Sequence, residues 1–146
     1  VCSSDLINMW EAHRFHDIST GHRVYKHETK CRHAHGHNYR VHFHCRGNLD
    51  SVGRVIDFSV IKDLLCNWLE DNWDHKFLLW KDDPWVQTFS SIDSEGLVVV
   101  PFNPTAENMA EYLIKEIAPK QLEGTGVTLV KCIIEETRKC SASFVI

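Results

Sequence analysis

HGHNYRVHFHC, residues 35–45, decides the fold. Its odd positions, His35, His37, Tyr39, Val41, Phe43 and Cys45, suit a core, whereas its even positions, Gly36, Asn38, Arg40, His42 and His44, are small or polar. A period of two marks a strand with one buried face. On a helix, His35 and His37 would point roughly 200° apart. On a strand they share a face about 6.6–7 Å apart, from where both rings can reach one ion. An imidazole on an apolar face needs a metal or a hydrogen-bond partner. His35 and His37 are therefore candidate ligands.

Working upstream, Ile7, Met9, Glu11, His13 and Phe15 alternate with Asn8, Trp10, Ala12 and Arg14, which predicts a strand over 7–15 that closes on His13. The polar stretch 16–30 reads as a loop. Downstream, GNLDSVG (47–53) is a turn leading into a short strand RVIDF, a hairpin partner. Asp57 or Ser59 then caps an amphipathic helix with Ile61, Leu64, Leu65, Trp68 and Leu69 on one stripe, ending near Asn72. A long connection over 76–102 closes with the apolar strand LVVVPF. A second helix begins at Pro104 and Thr105, buries Ala106, Met109, Ala110, Leu113, Ile114 and Ile117, and is expected to stop at Pro119. The last strand, VTLVKCIIEET, carries Glu136 on the face of Val130, Cys132 and Ile134. These elements predict an α+β domain, an antiparallel sheet with two helices on its apolar face.

The 146 residues, 43% hydrophobic and 25% charged, suit one domain over 7–146. The opening VCSSDL (1–6) lacks periodicity and is expected to be a non-native leader. A net charge of −4 without any Lys/Arg run argues against nucleic-acid and anionic-membrane partners. No stretch approaches the roughly 18 apolar residues of a membrane span, and a cytoplasmic location is expected. The six cysteines form no CxxC pair, so reduced thiols are favoured over a zinc ribbon.

Nine of the ten histidines lie between positions 13 and 44. His13, at the end of the first strand, is the expected third ligand beside His35 and His37, and three imidazoles with an open position characterise catalytic zinc. His16, His22, His27, His33, His42 and His44 are expected to be solvated, on loops or the polar strand face. Cys31, four residues before His35, is either a small hydrophobe or, beside a dication, a thiolate usable as a base. Asp74-His75 is either a polar pair tying the first helix to the sheet or a base with its orienting carboxylate.

Together, MWEAH (9–13), CRHAHGHNY (31–39), GRVIDF (53–58), WDHKFL (73–78), NPTAEN (103–108) and EET (135–137) resemble the 6-pyruvoyl-tetrahydropterin and 6-carboxy-tetrahydropterin synthase family, from Ile7 nearly to the C-terminus. The resemblance implies a tunnelling fold: a four-stranded antiparallel sheet with two helices on one side trimerises into a barrel, and two trimers stack into a hexamer. It implies zinc on His13, His35 and His37, and a catalytic set of Cys31, Asp74, His75 and Glu136. Cys31 would accept a proton, and His75, oriented by Asp74, would relay one from a neighbouring subunit. Glu136 would hold the guanidine-like edge of a pterin through paired N–H bonds. Thr105 and Glu107 match positions near the pterin pocket, although Thr105 also suits a plain helix cap.

The implied substrate is 7,8-dihydroneopterin triphosphate, with zinc acidifying its side-chain hydroxyls. Three residues separate Cys31 from His35. That spacing resembles the branch that releases acetaldehyde and leaves a 6-carboxylate for queuosine and other 7-deazapurines. The alternative is the pyruvoyl-forming branch, in which five residues are usual, and a more distant one is a non-catalytic zinc-binding module. Two features depart from the family pattern: Glu11 stands where a small residue is usual, and the 76–102 connection is long.

Overall fold

A computed structural model describes residues 10–146. Ile7, Met9 and the 1–6 leader lie outside the described residues. β2, His35–Gly47, buries Tyr39, Val41, Phe43 and Cys45 and turns its even positions outward. β1, Trp10–His22, pairs with it antiparallel along its full length, from Trp10↔Gly47 to His22↔His35. The stretch expected as a loop from His16 is thus the second half of β1. Its inward positions are Ile18, Thr20 and His22, and with two of these polar the apolar alternation fades while the backbone ladder continues. The inward face of β1 is the even one, so Glu11, His13 and Phe15 lie on the polar face.

β5, Thr128–Glu135, pairs antiparallel with the other side of β2, and β6, Ser141–Val145, pairs with β5. Beyond β1 lie β3, Phe77–Trp80, and β4, Leu97–Val100, both parallel. The sheet therefore has six strands in the order β4-β3-β1-β2-β5-β6 and is mixed, where four antiparallel strands were expected. The long connection explains the difference. Parallel neighbours need a crossover, and α2, Val86–Ile92, supplies it between β3 and β4. RVIDF forms no strand, because Asp50 Oδ1 gathers the N–H groups of Val52, Gly53 and Arg54 at 2.9, 3.0 and 3.2 Å and folds the segment into a loop.

α1, residues 58–72, starts at Asp57, whose carboxylate accepts the Ser59 N–H, and contains one wide turn at Lys62–Cys66. α3, residues 106–121, is capped by Thr105 accepting the Asn108 N–H, with a similar wide turn at Leu113–Ile117. Pro119 does not stop it. Proline sits in the first turn of the closing segment Ala118–Gln121, where a missing N–H and a fixed φ are tolerated.

Ile61, Leu65 and Leu69 of α1 join Met109, Ala110, Leu113 and Ile114 of α3 in one core with the inward residues of β2 and β5. Each large side chain so buried is worth about 1.5–3 kcal/mol. This packing fixes the end of the sheet where His22, His35 and His37 stand. There the strands approach closely: a Cβ on Gly21 would lie 2.6 Å from the Phe77 ring, and one on Gly36 3.3 Å from the Thr20 carbonyl oxygen. No helix among the described residues is long and apolar enough to cross a membrane.

Candidate metal centre

Paired residues in an antiparallel ladder share a face, so His22↔His35 and Thr20↔His37 put three imidazoles on the core side at one end of β1 and β2. One nitrogen from each of His22, His35 and His37 lies within 4.8 Å of the others. The rings of His22 and His35 are 4.6 Å apart, those of His22 and His37 5.3 Å, and those of His35 and His37 4.9 Å and nearly perpendicular.

The tautomers follow from the partners. His22 Nδ1 lies 2.7 Å from the Pro104 carbonyl oxygen, and His35 Nδ1 2.7 Å from that of His33. A carbonyl only accepts, so both Nδ1 atoms donate and both Nε2 atoms carry the lone pair, that of His22 facing the Tyr39 hydroxyl. This is how metal-binding imidazoles are held. Burial pushes the His22 pKa down to about 4, the Pro104 carbonyl opposing and the neighbouring His35 and His37 adding to the fall. Burial also lowers His37, with Glu136 opposing and His35 reinforcing. His37 Nε2 is buried without a hydrogen-bond partner. Three converging imidazoles, one of them with a buried and partnerless Nε2, fit a divalent metal with a position left open.

His13 does not join this group. It pairs with His44, nine residues back along β1 and about 30 Å away at strand rise, and it lies on the opposite face. His22 takes the place expected of it. Composition could not reveal this, but register could: a first strand as long as β2 carries His22 to His35.

Glu136, the first residue beyond β5, sets Oε1 3.6 Å from Nε2 of both His22 and His37. The buried Tyr39 hydroxyl lies 3.1 Å from His22 Nε2. Burial and the nearby Glu136 and Cys31 raise the phenol's pKa, so it stays a neutral donor. Cys31 sits half-buried in the single 3-10 turn Lys30–Arg32. That turn is tied down by the Val24 N–H, which donates to the Cys31 carbonyl at 2.8 Å, and by Arg23 Nη1, which donates to the Arg32 carbonyl at 3.2 Å.

Sequence reading missed the anchor behind this turn. Arg23 is buried and donates to both Asp83 oxygens at 2.6 and 2.5 Å, with its guanidinium 3.6 Å from the Trp85 ring. Asp83 and Trp85 come from the long connection, so that segment braces the Cys31 turn.

His75 lies outside the three-histidine group but lines a cleft shared with Gly36 and His37. Its Nδ1 is 2.8 Å from Asp74 Oδ2, while Asp74 Oδ1 accepts the Ser19 N–H at 2.8 Å. Burial works against the Asp74 carboxylate, but the Ser19 N–H and the His75 ring hold its pKa below the usual value. His75 has φ 59°, a left-handed conformation held by its N–H donating to the Ser19 carbonyl at 2.7 Å. The ring is exposed in an open cleft of about 640 Å³ with Asp17, Asn38, Arg40 and Arg138. Among the described residues, no hydrogen bond joins His75 to Cys31. Thr105 caps α3, and Glu107 is exposed on its first turn.

A family model described as 6-pyruvoyl tetrahydropterin synthase matches residues 11–145. The 6-carboxy-5,6,7,8-tetrahydropterin synthase of Rickettsia conorii is 35% identical over 126 residues, covering 85% of this chain and 91% of that protein. The probable 6-carboxy-5,6,7,8-tetrahydropterin synthase of Halobacterium salinarum is 34% identical over 118 residues, covering 78% and 75%. The solved 6-pyruvoyl tetrahydropterin synthase of Caenorhabditis elegans superposes with a TM-score of 0.66 at 25% identity, covering 94% of this chain and 95% of that one. An uncharacterized protein from Wolinella succinogenes shares the fold with a TM-score of 0.80 at 24% identity, over 93% and 97%.

Proposed function

We propose, from the premise that the chain belongs to the 6-pyruvoyl tetrahydropterin synthase family, that it is a zinc-dependent 6-carboxy-5,6,7,8-tetrahydropterin synthase. It would convert 7,8-dihydroneopterin triphosphate and water to 6-carboxytetrahydropterin, acetaldehyde and triphosphate. The observation that carries the site is the convergence of His22, His35 and His37 with an orphaned, buried His37 Nε2. The choice of product rests on relatives of that name at 35% identity and on the three residues between Cys31 and His35.

Zinc on these three nitrogens would act as a Lewis acid that acidifies the substrate's side-chain hydroxyls. Glu136 accepts paired N–H bonds from the pterin edge and orients the side chain towards the histidines. The Cys31 sulfur takes a proton from the side chain. The His75 ring, oriented by Asp74, carries a proton in a site shared between subunits. Thr105 and Glu107 border the pocket at the start of α3. The assembly is a barrel of three chains, stacked in pairs to a hexamer. The cellular setting is the cytoplasm and the synthesis of queuosine and other 7-deazapurines.

Zinc-loaded protein incubated with dihydroneopterin triphosphate tests the reading by product. Acetaldehyde and triphosphate in equal amounts are expected. A 6-pyruvoyl product without acetaldehyde would assign the chain to the sister reaction, and zinc binding without turnover would leave a metal-binding module.

A further inference from the structure

We infer that Glu11, His13 and His44 form a second divalent-cation site, on the polar face of the β1–β2 ribbon and at the opposite end from His22, His35 and His37. The ladder puts His13 directly across from His44, and the two rings lie 3.8 Å apart with a tilt of 38°. Glu11, two residues before His13, projects from the same face. Its Oε1 lies 3.2 Å from His13 Nε2 and 3.6 Å from His44 Nδ1, and all three ligand atoms fall within 4.8 Å of one another. Tetrahedral bonds of about 2.0–2.2 Å put neighbouring ligand atoms roughly 3.3–3.6 Å apart, so a cation enters with little rearrangement.

The other Glu11 oxygen is already engaged. Arg46 Nη2 donates to Oε2 at 2.7 Å. A carboxylate that ligates with one oxygen and is oriented through the other is a usual arrangement around bound metals. Arg46 and Lys131, which pairs with His44 across β2 and β5, bring positive charge near the site. That charge selects the cation class. Magnesium and calcium require several oxygen ligands and depend on anionic surroundings, whereas zinc, nickel and copper gain their affinity from imidazole nitrogen. The site is therefore assigned to an imidazole-seeking transition cation.

Zinc and cobalt(II) titrations of the full-length protein by calorimetry, with elemental analysis after gel filtration, test the assignment. The wild type is expected to bind two equivalents per chain. His44→Ala and His13→Ala should each lose one, and Glu11→Gln should weaken that equivalent at least about tenfold while leaving both imidazoles in place. All three positions lie on the polar face, so these variants leave the core intact. A His35→Ala/His37→Ala double variant should keep the Glu11 equivalent, which separates this inference from the active-site reading. A single equivalent in the wild type, or a second one unchanged in His44→Ala and Glu11→Gln, would overturn it.

Discussion

A carbonyl oxygen at Pro104 decides which nitrogen of His22 is free, because a ring that must donate through Nδ1 has only Nε2 left for a metal. Positioning by backbone also governs Cys31, whose turn is held by hydrogen bonds to its own and its neighbour's carbonyl oxygen. The thiol itself can therefore be removed without disturbing the histidines. Cys31→Ala is expected to retain its zinc and lose turnover by about 10²–10⁴-fold, the contribution of a positioned base. Metal content and steady-state kinetics on the same preparation check this. Near-normal turnover would take Cys31 out of the chemistry. At this scale the sequence revealed His35 and His37, because a strand is the only element that unites residues two apart. It concealed His22, because the preceding residue on its face, Thr20, is polar and the apolar alternation fades before the strand ends.

The elements owe their placement to two kinds of contact. Alternation and helical stripes made β2, α1 and α3 legible, with Asp57 and Thr105 as true caps. β4 was legible as the apolar run LVVVPF, but β3, with four residues, and the parallel pairing of the two were not, because that pairing depends on partners far along the chain. Glu136 reaches the site although β5 ends at Glu135, since it is the very next residue along the chain. The least legible contact is Arg23 with Asp83, sixty residues apart and almost fully buried. Asp83→Ala leaves the guanidinium buried without its partner and is expected to destabilise the protein by about 3–5 kcal/mol. Denaturant unfolding measures this, and a loss below about 1 kcal/mol would mean that Arg23 finds solvent or another acceptor.

At the scale of the molecule, two features point beyond one chain. β4 and β6 are open edges, and Trp10, Phe15, Val99 and Val145 are each about half exposed or more. Open edges and exposed apolar side chains of this kind are covered by neighbouring chains in oligomers. Light scattering at micromolar concentration is expected to give a mass of three or six chains, and a stable monomer would contradict the shared site. In the proposed metal centre His22, rather than His13, completes the set of three imidazoles on which turnover would depend. The most direct measurement is turnover of dihydroneopterin triphosphate by zinc-saturated His22→Ala and His13→Ala proteins beside the wild type, with acetaldehyde as the readout. Loss of acetaldehyde in His22→Ala with activity kept in His13→Ala is the predicted result; the reverse pattern would contradict it.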